Sequence, residues 1–373
     1  MAIRNEEQTM LVESVSAWCR DRAPVGAFRA LRDTQYETGF DQALYTEMAE
    51  MGLTGVLIPE EFGGVDFGYL SMGLVAEELG RHLTTSPLIS TAVGGVSALL
   101  LGGSDEQKAR LLPEICAGQV QVALGLDEGA HHAPESCNVS AVGDGDGWRL
   151  SGHKTAVLHG NSADFILVSA RTAEAGITLF LVPTDLEGVI RRPLIEIDVR
   201  GACLLELADV KVGADALVGP VGGGLPLAEA VLDRIRAVSS AEMLGSALQA
   251  FETTMEYLKT REQFGRLIGS FQALQHRAAN MLGELELTRT AVESALCAVD
   301  DAAPDLPALA SVAKSFAGDT LKLVTAEMIQ MHGGIGMTDE HDAGLYYKRA
   351  FATDQAFGSA SYHRERYARL KGY

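Results

Sequence analysis

Two short segments of this 373-residue chain carry side chains whose types and spacing suit a phosphate-rich ligand. The first is Thr260-Arg261-Glu262-Gln263-Phe264-Gly265-Arg266-Leu267-Ile268-Gly269-Ser270-Phe271-Gln272, where glycines and a cluster of guanidinium and amide donors interrupt a helical pattern. An arginine fork matches the oxygens of a diphosphate, and glycine lets the backbone come close. On spacing alone, a helix-to-helix turn with solvated arginines is the alternative. The second segment is Gln330-Met331-His332-Gly333-Gly334-Ile335-Gly336 at the end of an apolar helical run. Its glycines free amides for an anion or a flat ring, with a plain glycine C-cap as the alternative. Metal chemistry has little to build on. His131 and His132 are adjacent, so on a strand they point to opposite faces and read as two exposed loop histidines. The five cysteines, Cys19, Cys116, Cys137, Cys203 and Cys297, are widely spaced and form no CxxC, which indicates neither a zinc site nor a disulfide framework and fits a reducing compartment. No GxGxxG follows a strand and no P-loop is present, so a Rossmann domain is not supported.

The elements that position these segments follow from periodicity. Up to about Gly118 the spacing is helical: Met72, Leu74, Val75 and Leu79 recur at helical intervals with Gly80 as a stop, and Ser104 with Gln107 has the form of a capping box. From about Gln119 the period becomes that of strands. Val120–Leu126, Asp164–Arg171, Ile177–Pro183 and Cys203–Val212 are rich in aliphatic and β-branched residues, and Asp144-Gly145-Asp146-Gly147 predicts a hairpin between Asn138–Val142 and Trp148–Ser151. After Gly222-Gly223-Gly224 the helical period returns, through Leu225, Ala228, Leu232, Ile235 and Val238 and on to Leu258. Ala273–Val299 and Leu306–Met331 repeat it, with a turn at Asp300–Pro304. The expected architecture is α+β in three parts: a helical domain at 1–118, a β domain at 119–222 and a helical bundle at 223–373.

Composition narrows the partners. Thirty Lys and Arg stand against 50 Asp and Glu, a net charge of −20, which argues against nucleic acid or an anionic membrane as partner. The first twenty residues lack a basic start followed by an apolar stretch, so no signal peptide is expected. Thr84–Ser104, the longest low-charge stretch, contains Pro and four glycines and reads as a buried helix rather than a span. A soluble, cytoplasmic protein is expected.

Together with the domain order, these residues resemble the acyl-CoA dehydrogenase family over nearly the whole chain. Gly52-Leu53 through Ile58-Pro59-Glu60-Glu61-Phe62-Gly63-Gly64, then Glu77-Glu78-Leu79-Gly80-Arg81 and Gly103–Pro113, are similar to its N-terminal segments. Arg261–Gly265 with Phe271-Gln272, and Gln330–Gly336, resemble its two helical-domain signatures. The resemblance implies a helical domain, a β-barrel-like middle domain and a C-terminal four-helix bundle, assembled as a dimer of dimers with FAD held across a subunit interface. It implies oxidation of an acyl-CoA to the trans-2-enoyl-CoA, a glutamate taking the α-proton while the β-hydride passes to the flavin. Carried over residue by residue, Arg261, Gln263, Phe264 and Gln272 would meet the ADP portion of a neighbour's FAD, and Gln330, Gly333 and Gly334 would line its pyrophosphate. Electrons would leave through an electron-transfer flavoprotein or a similar acceptor.

The flavin-ring side departs from the family pattern. The loop expected to read Thr-Glu-Pro-Gly-Ala-Gly-Ser-Asp falls near Leu126–Ala133, and little of it survives; Ala156 and Leu158 replace an aromatic residue and a hydroxyl that would face the ring. The base is missing too. Gly358 stands where most members carry glutamate, and Ile235 where a minority carry it, a loss that costs on the order of a hundred- to ten-thousandfold in rate. Asp233 and Arg236 match positions facing the pantetheine arm of CoA, with an ion pair on a solvated helix face as the alternative. Glu242 is a displaced base or a buried structural carboxylate, and His332 is packing or backbone support. The resemblance therefore points to the non-catalytic subunit of a heteromeric (α2β2) acyl-CoA dehydrogenase, a type associated with CoA thioesters of steroid side chains in actinobacteria. Two other readings stand beside it: a self-sufficient homotetramer with a displaced base, and a flavin-free acyl-CoA-binding or scaffold protein.

Overall fold

A computed structural model describes residues 4–34, 38–173 and 176–373. The chain opens with α1 (Glu6–Arg22), α2 (Val25–Thr34), α3 (Gln42–Glu50), α4 (Gly68–Arg81), α5 (Val96–Gly102) and α6 (Asp105–Cys116). The strands follow: β1 (Val122–Gly125), β2 (Ser140–Asp144), β3 (Gly147–Val157), β4 (Phe165–Thr172), β5 (Gly176–Pro183), β6 (Val189–Pro193), β7 (Cys203–Gly213) and β8 (Leu217–Val218). Then come α7 (Gly224–Thr260), the short β9 (Glu262–Gln263) and β10 (Arg266–Leu267), α8 (Gln272–Asp300), α9 (Leu306–His332), α10 (Ala343–Gln355) and α11 (Ala360–Leu370). Helical N- and C-terminal regions thus flank a β-sheet region, as the periodicity predicts. None of the described helices is long and apolar enough to cross a membrane.

By contacts the chain forms two compact units. One comprises Ala30–Gly68 and Thr85–Ile235, the other Met1–Arg29, Tyr69–Thr84 and Arg236–Tyr373.

The first unit is built on one sheet, in the order β6-β7-β3-β2-β4-β5-β8, with β1 paired in parallel to β4. The predicted hairpin forms between β2 and β3 with Asp144 opposite Gly147, and Gly145 supplies the positive φ of 66° that the two-residue turn needs. Leu150, Val168 and Phe180 are fully buried on the core face, each stabilising the fold by about 1.5–3 kcal/mol, and Trp148 packs edge-on against Phe180. Thr84–Leu99 is largely buried as expected, whereas Leu101 and Ser104 are exposed, and Ile89–Gly95 is a π-helical turn rather than regular α-helix. Thr91 Oγ1 there bonds both the amide and the carbonyl of Val122, drawing the widened turn onto β1. Ser104 and Gln107 form the predicted capping box on α6.

The second unit is helical. It takes in α7 from Arg236 onward. Within this unit Gly80 does not stop α4 as the sequence suggests: the helix runs on to Arg81, and a Cβ at Gly80 would overlap the Glu242 carbonyl of α7. The glycine is there for a close helix crossing. In the turn between α8 and α9, the Asp300 carboxylate accepts from the amides of Tyr69 and Leu70 at 2.6 and 2.9 Å, satisfying orphan donors at the start of α4.

Candidate functional site

The two donor-rich segments belong to the helical unit. Thr260–Gln272 is neither a continued helix nor a plain turn. It is a two-stranded arm, β9 against β10 with Gln263 opposite Arg266, projecting where α7 ends and α8 begins. Its two turn residues, Phe264 and Gly265, have φ of 55° and 75°. Glycine adopts that conformation freely, but for phenylalanine it costs about 1–2 kcal/mol. Phe264 is also 91% exposed, so its own core gains nothing from it. Burial within this chain therefore does not repay the strain at Phe264. Behind it Arg266 lies 4.0 Å from the ring centroid of Phe271, which meets Phe264 edge-on at 6.0 Å. The side chains of Arg261, Gln263 and Gln272 are exposed.

Gln330–Gly336 closes α9. Gly333, at φ 64°, ends the helix and donates its amide to the Gln330 carbonyl, so the C-cap alternative is realised in part. Gly334 has no such backbone requirement, and a Cβ at either glycine would meet nothing within 4 Å. That open backbone is room for an approaching ligand. His332 is buried, and its Nδ1 donates to the Met328 carbonyl at 2.7 Å. Its ring stacks on Tyr257 and lies against His341, both at 4.3 Å between centroids. Burial, then the neighbouring His341, pushes its pKa down against the Met328 bond, so it is a neutral support for the loop. Tyr257 also donates to the His332 carbonyl at 3.4 Å, which brings the glycine loop to within one helical turn of Arg261. Neither Tyr257 nor His341 stood out in the sequence; the one available signal was the position of Tyr257 in the last turn of α7, four residues before Arg261.

The segment where a flavin ring would be held lies in the sheet-based unit and is folded onto itself. Asp127 accepts from the Ala133 amide at 2.9 Å and from His132 Nδ1 at 2.8 Å. Glu128 accepts from the amides of Asn138 and Val139, from Asn138 Nδ2 and from Lys154 Nζ, all between 2.7 and 3.0 Å. Lys154 is fully buried and also donates to Ser169 Oγ at 2.9 Å. Burial opposes ionisation of Glu128, but Lys154 and the amides outweigh it and hold the carboxyl at about 2. Ala156 is exposed at an irregularity in β3, with φ 48°. His131 is exposed as expected, but the His132 side chain, drawn in by Asp127, is only 3% exposed, so the two are not a pair of exposed loop histidines; no group of three or more potential metal ligands occurs among the described residues.

At the expected base positions, Ile235 is fully buried, and Gly358 is buried with φ 105°. Asp233 and Arg236 are 2% and 0% exposed, which excludes the solvated helix face. Arg236 Nε donates to the Phe357 carbonyl at 3.2 Å. Glu242 faces the fully buried Arg349 at 3.4 Å, and Arg349 also donates to the Leu83 carbonyl at 3.0 Å. Glu242 is thus held in a buried ion pair. All five cysteines are free, and burial raises the pKa of each thiol.

Three domain descriptions match the chain: acyl-CoA dehydrogenase N-terminal domain over residues 5–119, middle domain over 127–210 and C-terminal domain over 222–371. Acyl-CoA dehydrogenase IpdE2 of Mycolicibacterium smegmatis is 30% identical over 356 residues, covering 95% of each chain. A variant of the Tcur3481-Tcur3483 steroid ACAD superposes with a TM-score of 0.90 at 33% identity over 98% of both chains. A chain of the ChsE4-ChsE5 complex from Mycobacterium tuberculosis gives 0.91 at 28% identity over the full length of both.

Proposed function

Because the chain belongs to the acyl-CoA dehydrogenase family, we propose that it is the non-catalytic subunit of a heteromeric enzyme that desaturates an acyl-CoA between its α and β carbons. The family is FAD-dependent, and FAD, when bound, supplies the hydride acceptor that side chains lack. In this reading Arg261, Gln263, Phe264 and Gln272 on the projecting arm, with Gln330, Gly333 and Gly334 at the end of α9, hold the ADP half of the partner subunit's FAD. The partner supplies the glutamate and the ring pocket, in an α2β2 assembly.

One observation carries the proposal: the two halves of the family's flavin site have opposite fates in this chain. The arm and the glycine loop present donors and open backbone outward. The loop expected to cradle the ring instead uses Asp127 and Glu128 to bind its own amides and Lys154. The similar structures named as a steroid ACAD of two components and as a two-component complex support a heteromer and a bulky, steroid-derived CoA thioester. An electron-transfer flavoprotein or similar carrier would accept the electrons. Cytoplasmic residence fits the five free thiols.

The test is purification alone and with a homologous partner. The chain alone is expected colourless and unresponsive to acyl-CoA, and the co-expressed complex yellow and bleached by substrate. A chain that is yellow alone and bleaches with acyl-CoA contradicts the proposal.

A further inference from the structure

The turn between α10 and α11 carries Phe357 and Gly358 with φ of 59° and 105°, two successive residues in conformations unfavourable to an L side chain. Carbonyls of this turn and of the end of α10 are gripped from three other helices of the same unit. Lys314, on α9 and fully buried, donates its three protons to the carbonyls of Thr353, Asp354 and Gly358 at 2.8, 3.1 and 3.1 Å. An ammonium group has three donors, so it is fully satisfied. Phe357 O accepts from Arg236 Nε of α7 at 3.2 Å and from His363 Nε2 of α11 at 3.1 Å. His363 Nδ1 in turn meets Ser311 Oγ at 3.4 Å. Asp354 caps the start of α11 by accepting from the Ala360 amide at 3.1 Å, and it is held by Lys322 at 3.1 Å. No space is left at Gly358: a Cβ there would lie 2.5 Å from Tyr362 Cδ1 and 2.8 Å from His363 Nε2.

We infer that the turn at 356–359 is a locked cap that only glycine at 358 can close, so that a general base cannot be restored at this position by substitution. The inference rests on the proposed function for the meaning of position 358, but the lock is a property of this chain alone. Lys314, Arg236 and His363 act as positioning residues. In a site that had merely lost its carboxylate, a glutamate at 358 would find room and the loop would tolerate any small residue. Here the side chain must displace an aromatic ring and an imidazole whose nitrogen is already bonded.

Thermal unfolding of the full chain tests the lock without any flavin. Gly358→Ala is expected to lower the melting midpoint by about 5 °C, and Gly358→Glu by more. In a Tyr362→Ala background the same Gly358→Ala change is expected to cost less, because one of its two collisions is gone. Lys314→Met is expected to speed exchange of the Ala360 amide at least tenfold, by releasing the turn. In the complex with its partner, Gly358→Glu is expected to add no bleaching with butyryl-CoA beyond that of the parent. An unchanged midpoint in Gly358→Ala, or a Gly358→Glu chain that keeps the parent midpoint and bleaches flavin, overturns the lock. These results are separable from the proposed function: a complete FAD on every chain would defeat the latter and leave the thermal data on Gly358 untouched.

Discussion

Replacing Glu128 with Gln tests whether the ring-side loop is held closed by its own charges. The carboxylate is only 7% exposed and its partner Lys154 0%. Oε2 takes both donors of Asn138, and Oε1 takes the Val139 amide and Lys154. A glutamine amide points an NH2 at one of these donor pairs and leaves Lys154 without its counter-charge. The folded carboxyl sits at about 2 against an ordinary 4.5, a depression worth about 3 kcal/mol. Breaking a buried pair by removing one partner costs about 3–5 kcal/mol, so about 3 kcal/mol is the expected loss at pH 7. Because the folded value lies below the unfolded one, this stability is fully present above about pH 5.5 and falls away as pH drops through 4.5 toward 2. The gap between parent and variant should therefore narrow in acid. Trp148 lies in the same sheet, and in a Trp18→Phe background it is the sole tryptophan, so its fluorescence reports this unit. At a urea slope of about 2 kcal/mol/M the midpoint at pH 7 should fall by about 1.5 M. A midpoint that does not move at pH 7, or a gap that widens in acid, refutes the reasoning.

Other expectations follow the same logic. Arg349→Met strands Glu242 in the helical core and should destabilise by about 3–5 kcal/mol in denaturant unfolding, whereas a freely solvated Glu242 would make the change mild. Arg261→Ala, on an exposed arm, should leave the melting midpoint of the chain unchanged but weaken FAD retention by the complex about 10- to 100-fold, the cost of one charge-assisted bond. Flavin content equal to the parent's would favour a scaffold role. Phe264→Gly should raise stability by about 1 kcal/mol by relieving the left-handed turn, while lowering flavin retention; a loss of stability would mean that the ring supports the arm.

Local features of the fold were legible in the sequence because they are written in neighbouring residues. The Asp144–Gly147 turn and the Ser104–Gln107 capping box are set by residues within four positions, and both form as read. Features fixed by distant partners were not. Glu128 and Lys154 stand 26 residues apart, and Glu242 and Arg349 stand 107 apart, so neither ion pair has a local pattern. For Asp233 and Arg236 the alternative of a solvated helix face rested on their charge, yet both are buried. Gly80 looked like a helix stop, but the carbonyl it avoids lies on another helix. The donor-rich segments were visible as composition. Their shape as a strained arm and an open glycine loop, joined through Tyr257 and His332, required the packing of α7 beside the end of α9.

The central claim, that this chain supplies half of its partner's flavin site and holds no complete site of its own, is tested most directly by counting flavin. The complex with the homologous partner, weighed by native mass spectrometry and assayed for released FAD, should contain one FAD for every two chains. One FAD for every chain would contradict the account.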